Sequence, residues 1–127
     1  MICKLYFDGG FTANTVSYGY IVKDENDVII DKGGDKFLEK GSTNIVAEYM
    51  GLVTGLTRCL KLGATEVKVF GDSQTAIYQL NGTYKVRDNN ARPLFYVTRG
   101  LIKQFNSVEL NWVPRDQNRE ADREAKV

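Results

Sequence analysis

The chain has 127 residues, of which 43% are hydrophobic and 26% charged, as in an ordinary globular domain long enough to bury a core. Its formal net charge of +1, from 17 basic and 16 acidic residues, excludes a blanket positive charge, so any basic surface must be local. The absence of histidine excludes a Ser-His-Asp triad and a histidine-ligated zinc site. Cys3 and Cys59 form no metal-type pair, and their apolar surroundings predict two buried free thiols.

The N-terminal third predicts a meander of three antiparallel strands. Residues 2–7 form an apolar run that ends at Asp8, which is typical of a strand buried on both faces in the middle of a sheet. Residues 17–23 are rich in aromatic and β-branched side chains, and residues 28–32 return after a charged turn as the third strand. Residues 35–42 are predicted to form a charged loop.

The rest of the chain predicts alternating helices and strands. Hydrophobic residues at helical spacing indicate a long helix over residues 44–62, with Thr43 as its N-cap and Gly63 just after its end. Asn118 is predicted to cap a short last helix. The remaining predicted elements are a strand over 66–70, helices over 73–81 and 91–105, and a strand over 108–113.

This order of elements predicts an α/β fold with a mixed sheet, because a strand that follows a helix tends to pair in parallel with an earlier strand. Asp8 and Asp72 each follow a predicted strand. Strand ends of this kind can meet at one edge of the sheet, where α/β folds usually place their sites.

Four acidic residues lie at strand ends or at the core-facing edge of a helix: Asp8, Glu48, Asp72 and Asp122. Each also has a structural explanation, as a turn residue, a solvated helix acid, a helix cap and an acid near a helix N-terminus, respectively. If the four cluster, they repel one another unless a divalent cation neutralises them, and oxygen-only ligands favour Mg²⁺ or Mn²⁺ over zinc. Two such ions about 4 Å apart suit the in-line displacement of a phosphodiester.

Six segments, in the same order along the chain, resemble type 1 ribonuclease H, and most closely its compact archaeal and bacterial branch that lacks the active-site histidine. They are FDGG (7–10), STNIVAEY (42–49), GDSQ (71–74), QLNGTYKVR (79–87), WVPRDQN (112–118) and EAD (120–122). The resemblance implies a ribonuclease H-like α/β fold in one domain over residues 1–127. Its five-stranded mixed sheet would combine antiparallel hairpins with parallel strands and carry helices on both faces.

The resemblance also implies an enzyme that hydrolyses the RNA strand of RNA·DNA hybrids, uses two Mg²⁺ or Mn²⁺ ions and leaves 5′-phosphate products. Its catalytic residues and metal ligands would be Asp8, Glu48, Asp72 and Asp122. Asp8 would bridge both ions. Glu48 would bind one ion and also a 2′-hydroxyl of the RNA, the group that distinguishes RNA from DNA at a site.

The matched motifs imply eight substrate-binding residues: Gly10, Thr43, Asn44, Ser73, Gln74, Lys85, Arg87 and Arg115. Gly10 would let the RNA backbone approach closely because it has no side chain. Asn44 and Gln74 would hydrogen-bond minor-groove edges or sugar hydroxyls. Where the family often has a second asparagine the chain has Ile45, so one minor-groove contact is not expected.

On the DNA strand, Lys85 and Arg87 would contact phosphates, which should make binding salt-dependent. Thr43 and Ser73 would also reach DNA phosphate, although helix capping explains these two residues equally well. Many relatives carry a histidine in the loop before the last acidic helix. Here Arg115 stands nearest to that position and would contact the scissile phosphate or the product.

Two other functions stay open at this point: a hybrid-binding module without catalysis, and another nuclease of the same fold, such as a DNA exonuclease. No apolar stretch is long enough to span a membrane, and the N-terminus lacks a signal-peptide layout. We therefore expect a cytoplasmic protein, and we expect it to be a monomer.

Overall fold

A five-stranded sheet organises the computed structural model, which describes residues 1–38 and 43–126. The strands lie in the order β3-β2-β1-β4-β5. β1 pairs antiparallel with β2 and parallel with β4, so the first strand is central, as predicted. The outer pairs are antiparallel β2–β3 and parallel β4–β5. The strands are β1 (Ile2–Thr12), β2 (Thr15–Lys23), β3 (Ile29–Leu38), β4 (Glu66–Gly71) and β5 (Ser107–Trp112).

Helices cover both faces of this sheet, which confirms the predicted α/β architecture. They are α1 (Asn44–Lys61), α2 (Gln74–Leu80), α3 (Ala91–Ile102) and α4 (Arg119–Ala125), with a 3₁₀ turn over Arg115–Gln117. Two glycines identify the helix that covers each face of the sheet. A Cβ added at Gly9 would contact α1, whereas a Cβ added at Gly19 would contact α4. Gly19 lies on β2 directly opposite Asp8, so it faces the same side as Asp8. Consecutive strand residues point to opposite faces, so α1 and α4 lie on opposite sides. No helix among the described residues is long and apolar enough to cross a membrane.

The main core lies between the sheet and α1. Cys3, Leu5 and Phe7 alternate along β1 and are fully buried, and they pack in one cluster with α1 residues such as Leu52 and Leu56. Cys59 is also buried in this cluster. The two cysteines are free thiols, as predicted, and they hydrogen-bond to each other.

Three elements, β1, β3 and α3, differ most from the predicted bounds, and the others differ by one or two residues at an end. β1 continues past Asp8 because β2 keeps pairing with it as far as Thr12, whereas its pairing with β4 stops at Phe7. β3 runs through Gly33 and Gly34 and into the predicted charged loop as far as Leu38. A Cβ on Gly34 would clash with α4 and with β2. Glycine at this position therefore permits close packing and does not end the strand. Residues 39–42 of that loop lie outside the described residues.

α3 ends at Ile102, three residues earlier than predicted, since the backbone N–H groups of Gln104 and Phe105 bond to carbonyls three residues back. Phe105 itself is buried in the turn that follows α3.

The helix caps agree only in part with the sequence pattern. Gly63 has φ of 86° just after α1, and the Ser73 hydroxyl accepts a hydrogen bond from the backbone N–H of Ala76 at 3.2 Å, so Ser73 and not Asp72 caps α2. Thr43 and Asn118 occupy N-cap positions without making a side-chain cap. The Thr43 hydroxyl instead donates to Asp88 Oδ2 at 2.9 Å, which ties the start of α1 to the segment before α3.

Candidate active site

Three carboxylates meet where β1, β4 and α1 come together. Asp8 lies on β1, Glu48 on α1 and Asp72 directly after β4, and each offers an oxygen within 4.8 Å of the others. Parallel pairing places Phe7 beside Gly71, so the residues that follow them, Asp8 and Asp72, emerge side by side.

Glu48 reaches this point because α1 packs directly on the backbone of β1. A Cβ on Gly9 would overlap the backbone of Ala47 and Glu48, so a glycine is required for this approach. Two long-range contacts, one strand-to-strand and one helix-to-strand, therefore assemble the cluster.

The cluster is strongly negative and poorly solvated. Asp8 is 6% exposed, and the buried Oε2 of Glu48 has no hydrogen-bond partner. No lysine or arginine in residues 1–38 and 43–126 forms an ion pair with Asp8, Glu48 or Asp72. Burial, a hydrogen bond with Asp122 and the charge of Asp72 raise the pKa of Asp8 to about 8. Burial and the charges of Asp8 and Asp72 also raise the pKa of Glu48.

Asp122, on α4, approaches the cluster from the other face of the sheet. Its side chain hydrogen-bonds to Asp8. It also lies 3.7 Å from an Arg115 nitrogen and 3.1 Å from the Lys126 ammonium. Partial burial acts to raise its pKa, but the hydrogen bonds from Asp8 and Lys126 prevail and lower it. Asp122 is therefore the member of the four whose negative charge is already compensated.

Asn118 is a site residue that the sequence reasoning missed, because an asparagine before a helix has the ordinary pattern of a cap. It is 1% exposed, and its Nδ2 donates to the carbonyl of Phe7 at 2.8 Å and to Asp72 Oδ1 at 3.1 Å. These bonds hold the Asp72 carboxylate against β1 at Phe7, directly before Asp8. No local sequence signal reveals this role, since both partners are far away along the chain.

A cavity of about 410 Å³ opens over the acids. The predicted substrate residues Gly10, Asn44 and Arg115 line it, whereas Thr43, Ser73 and Gln74 are not among its lining residues. Its walls are formed by Asp8, Gly9, Gly10, Phe11, Thr12, Ser17, Asn44, Glu48, Asp72, Arg115, Asp122, Ala125 and Lys126.

Lys85 and Arg87 lie elsewhere. They line a second cavity, of about 440 Å³, between α2 and the segment that follows it, and Tyr84 lies beside them with 47% of its surface exposed. The structure therefore separates the predicted substrate residues into a group around the acids and a basic group beside α2.

The donor set of the acidic cavity fits divalent cations of the Mg²⁺ or Mn²⁺ type. All the donors are carboxylate oxygens, which hard cations prefer. The unpartnered Glu48 Oε2 and the raised pKa of Asp8 are both features that a bound cation would relieve.

A family model described as "Reverse transcriptase-like" matches residues 6–127. Among curated proteins, the bifunctional protein Rv2228c of Mycobacterium tuberculosis is 38% identical over an alignment of 120 residues that covers 91% of this chain and 32% of that protein. An uncharacterized protein of Mycobacterium bovis matches with the same identity and coverage. The chain thus spans about one third of the length of the curated relatives it matches.

Solved structures match over nearly all of both chains. The N-terminal ribonuclease H domain of Rv2228c superposes with a TM-score of 0.92 and 33% identity, covering 98% of this chain and 91% of that chain. Ribonuclease H1 from the archaeon Halobacterium salinarum superposes with a TM-score of 0.93 and 29% identity, covering 99% of this chain and 96% of that chain. LC11 ribonuclease H1, solved in complex with an RNA/DNA hybrid, superposes with a TM-score of 0.89 and 25% identity, covering 98% of this chain and 94% of that chain. The chain therefore belongs to the type 1 ribonuclease H family of enzymes.

Proposed function

We propose that this protein is a divalent-metal-dependent endonuclease that hydrolyses the RNA strand of RNA·DNA hybrids and leaves 5′-phosphate products. The observation that carries the proposal is the group of three carboxylates, Asp8, Glu48 and Asp72, within 4.8 Å of one another and without a cationic partner in the described part of the chain. An RNA/DNA hybrid bound to the similar LC11 enzyme supports the substrate class.

Asp8, Glu48, Asp72 and Asp122 are the residues that would hold two Mg²⁺ or Mn²⁺ ions. When bound, such ions would stabilise negative charge on the attacking and departing oxygens of an in-line phosphodiester displacement. The protein contributes the fixed positions of the carboxylates: Asn118 orients Asp72, and the packing of α1 on Gly9 sets the position of Glu48.

The residues around the acids would bind the RNA strand. Gly10 and Asn44 line the acidic cavity, so the Gly10 backbone would contact the sugar-phosphate chain and the exposed Asn44 amide would hydrogen-bond the minor-groove edge or a sugar hydroxyl. Gln74, exposed at the start of α2, would make a similar contact. Glu48 would accept a hydrogen bond from a 2′-hydroxyl, which selects RNA over DNA at this position.

Lys85 and Arg87 would neutralise phosphates of the DNA strand. Both are exposed beside Tyr84, as a phosphate-binding surface requires. For Thr43 and Ser73 we keep the DNA-phosphate contact as a proposal. Each hydroxyl already has a partner in the free protein, Thr43 with Asp88 and Ser73 with the N–H of Ala76, and would have to exchange or share it.

Arg115 would take the place that a histidine has in many relatives. It is exposed, lines the acidic cavity and lies 3.7 Å from Asp122, so its guanidinium is near the place where metal ions on the acids would hold a phosphate. Arginine does not titrate near neutral pH, so its role would be to hold phosphate or product and not to transfer a proton.

The test is incubation with a hybrid whose RNA and DNA strands carry different labels, with and without Mn²⁺, beside single-stranded and duplex controls. We expect internal cuts in the RNA strand of the hybrid only, with 5′-phosphate ends and only in the presence of the metal. Binding without cleavage in excess Mg²⁺ or Mn²⁺ would instead indicate a hybrid-binding module. Cleavage of labelled single-stranded DNA would indicate another nuclease of the same fold.

The residue assignment is tested with Asp8→Asn and Asp72→Asn. Each should abolish cleavage while circular dichroism shows that the fold is kept. Asp35→Asn, an equal change at an exposed position on β3, serves as the matched control and should leave the rate unchanged. A normal rate in either site variant would refute the two-metal assignment.

A further inference from the structure

α4 separates its charges by sign. Two of its three acids face the sheet, where Lys23 pairs with Glu120 at 2.7 Å and Lys32 with Glu124 at 3.7 Å. The third acid, Asp122, pairs with Arg115 and Lys126. Its arginines, Arg119 and Arg123, are exposed, and no carboxylate of the described residues forms an ion pair with either. The acidic side of the helix is therefore neutralised and the basic side is left open.

The open arginines continue a line that begins at the acidic cavity. Arg115, Arg119 and Arg123 recur every four residues and together line a cavity of about 620 Å³; we call these three residues the arginine ridge. Four residues of helix span about 6 Å, so Arg119 and Arg123 lie about 6 Å apart along the axis of α4. A row of arginines with this separation can contact successive phosphates of one nucleic acid strand, and each guanidinium can bind a phosphate through two hydrogen bonds.

The ridge cavity adjoins the acidic cavity. Arg115, Asp122 and Lys126 line both, so a chain that leaves the acids on this side passes directly over the ridge. Among the residues that the structure describes, Asp116 is the one other acid that lines the ridge cavity. The four basic residues of that cavity therefore outnumber its two acids.

The ridge lies on the opposite side of the sheet from the other basic surface. α4 packs on the face that carries Asp8, whereas Lys85 and Arg87 follow α2 on the side of α1. The two positive surfaces thus flank the acids from two sides. A hybrid duplex presents two phosphate backbones, and one surface for each backbone is the arrangement that accommodates both.

We propose that the arginine ridge is a binding site for phosphates of the RNA strand, beyond the nucleotide that is held at the acids. The proposal rests on the function proposed above, because the strand at the acids is the strand that is cut, and the ridge cavity shares three lining residues with the acidic cavity. Since neither Arg119 nor Arg123 forms an ion pair with a carboxylate of the described residues, both guanidiniums can bind phosphates of the substrate.

The test uses binding, so that it does not depend on cleavage. Fluorescence anisotropy would follow the full chain and a labelled hybrid in EDTA over a range of salt concentrations, for the wild-type protein and the double variant Arg119→Ala, Arg123→Ala. We expect weaker binding by the variant, and a slope of log affinity against log salt that is smaller by about 2, one for each lost phosphate contact. The matched control is Lys61→Ala, Lys68→Ala, which removes the same charge at exposed positions that line neither cavity, and it should keep the wild-type slope.

The choice of strand is tested with uncharged methylphosphonate linkages in one strand of the hybrid at a time. Neutral linkages in the RNA strand should weaken binding by the wild-type protein but have little further effect on the double variant. Neutral linkages in the DNA strand should weaken both proteins by the same factor. A double variant with the wild-type affinity and slope, or one whose loss follows the DNA strand, would overturn the proposal.

The outcome for the ridge is distinguishable from the outcome for the proposed function. Cleavage by the wild-type protein together with unchanged binding by the double variant would overturn the ridge and keep the nuclease. Ridge-dependent binding without any cleavage would keep the ridge and overturn the nuclease. Equal unfolding temperatures of the wild-type protein and the double variant would confirm that both proteins compared are folded.

Discussion

The two ends of the central strands treat carboxylates in opposite ways. At the end where β1 begins, Arg58 Nε lies 2.6 Å from Asp31 Oδ2 and the Lys4 ammonium lies 2.7 Å from Asp27 Oδ1. At the other end, Asp8, Glu48 and Asp72 converge, and no basic side chain in the described ranges forms an ion pair with them.

The difference is visible in the pKa values. The hydrogen bond from Lys4 lowers the pKa of Asp27, whereas burial, chiefly, raises that of Asp8 to about 8. The pair between Lys4 and Asp27 favours the folded protein above the pH at which an unfolded aspartate titrates, and this contribution is lost as the pH falls through the lowered pKa of Asp27. The unpaired acids oppose folding once ionised, unless a cation binds between them. The acidic end is therefore the part of the fold where stability is given up for binding, as is usual for functional sites.

The close packing that creates the acidic end should be the most sensitive to mutation. Gly9→Ala would place a methyl group into the backbone of Ala47 and Glu48, where neither side can yield. We expect a loss of more than about 3 kcal/mol in the free energy of unfolding, measured by urea denaturation, because overpacking against backbone requires the helix to move.

The matched control for this substitution is Gly100→Ala. Gly100 is exposed on α3, and a Cβ there has no heavy atom within 4 Å. The free energy of unfolding of the control should rise by about 0.5 to 1 kcal/mol, because alanine has a higher helix propensity than glycine. A Gly9→Ala protein as stable as the wild type would show that α1 does not need this approach to place Glu48.

The next largest effect should be the pH dependence of stability in EDTA. An aspartate in the unfolded chain titrates near pH 4, whereas Asp8 in the folded protein titrates near 8. Between these values the folded state binds more protons than the unfolded state, so raising the pH lowers the free energy of unfolding. The raised pKa of Glu48 acts in the same direction.

Denaturation curves from pH 5 to pH 9 should therefore show falling stability for the wild-type protein. The Asp8→Asn protein should show a shallower fall, because the group that titrates near pH 8 is gone. At the high end of this pH range, Mg²⁺ or Mn²⁺ should restore the stability of the wild-type protein, and it should restore the stability of the variant less. Stability that rises from pH 6 to pH 9 in EDTA would contradict the uncompensated charge at this end.

Asn118→Ala should have an intermediate effect. The substitution leaves the Phe7 carbonyl and Asp72 Oδ1 without their shared donor at a fully buried position. We expect a loss of about 1 to 3 kcal/mol in the free energy of unfolding, the usual penalty for an unpaired buried polar group. We also expect weaker Mg²⁺ binding by calorimetry, because Asp72 loses its orientation. Asn106→Ala, at an exposed position, is the control and should change neither quantity.

The two ends also differ in how far they could be predicted. Asp8 and Asp72 follow apolar runs that read as parallel strands, so the meeting of their carboxylates follows from local pattern and sheet topology alone. Glu48 was predicted to point toward the core because Ile45 and Leu52 lie one turn away on either side. The local sequence pattern is therefore enough to predict the position of a site residue where its periodicity specifies which way the side chain faces.

Asn118 and β3 show where local pattern fails. Asn118 has the pattern of a cap, but its amide is used by two groups distant in the sequence, Phe7 and Asp72. Gly34 has the pattern of a strand end, but it continues β3 because α4 packs against it. In both cases tertiary contacts override the local preference, and only the assembled fold shows which contacts those are.

The smallest effect should come from breaking a pair at the compensated end. Arg58→Ala removes the ion-pair partner of Asp31, which keeps the 3.4 Å hydrogen bond from the Tyr20 hydroxyl and the 2.9 Å hydrogen bond from the backbone N–H of Lys32. Because Arg58 is 39% exposed, we expect a loss of about 1 kcal/mol or less, and a smaller loss at high salt. Arg58→Lys should recover part of it, since the charge is kept but the planar guanidinium is not. Hybrid cleavage and metal affinity should stay at the wild-type values in both variants, because the pair shares no contact with the acids; a change in either quantity would show that the two ends of the sheet are coupled.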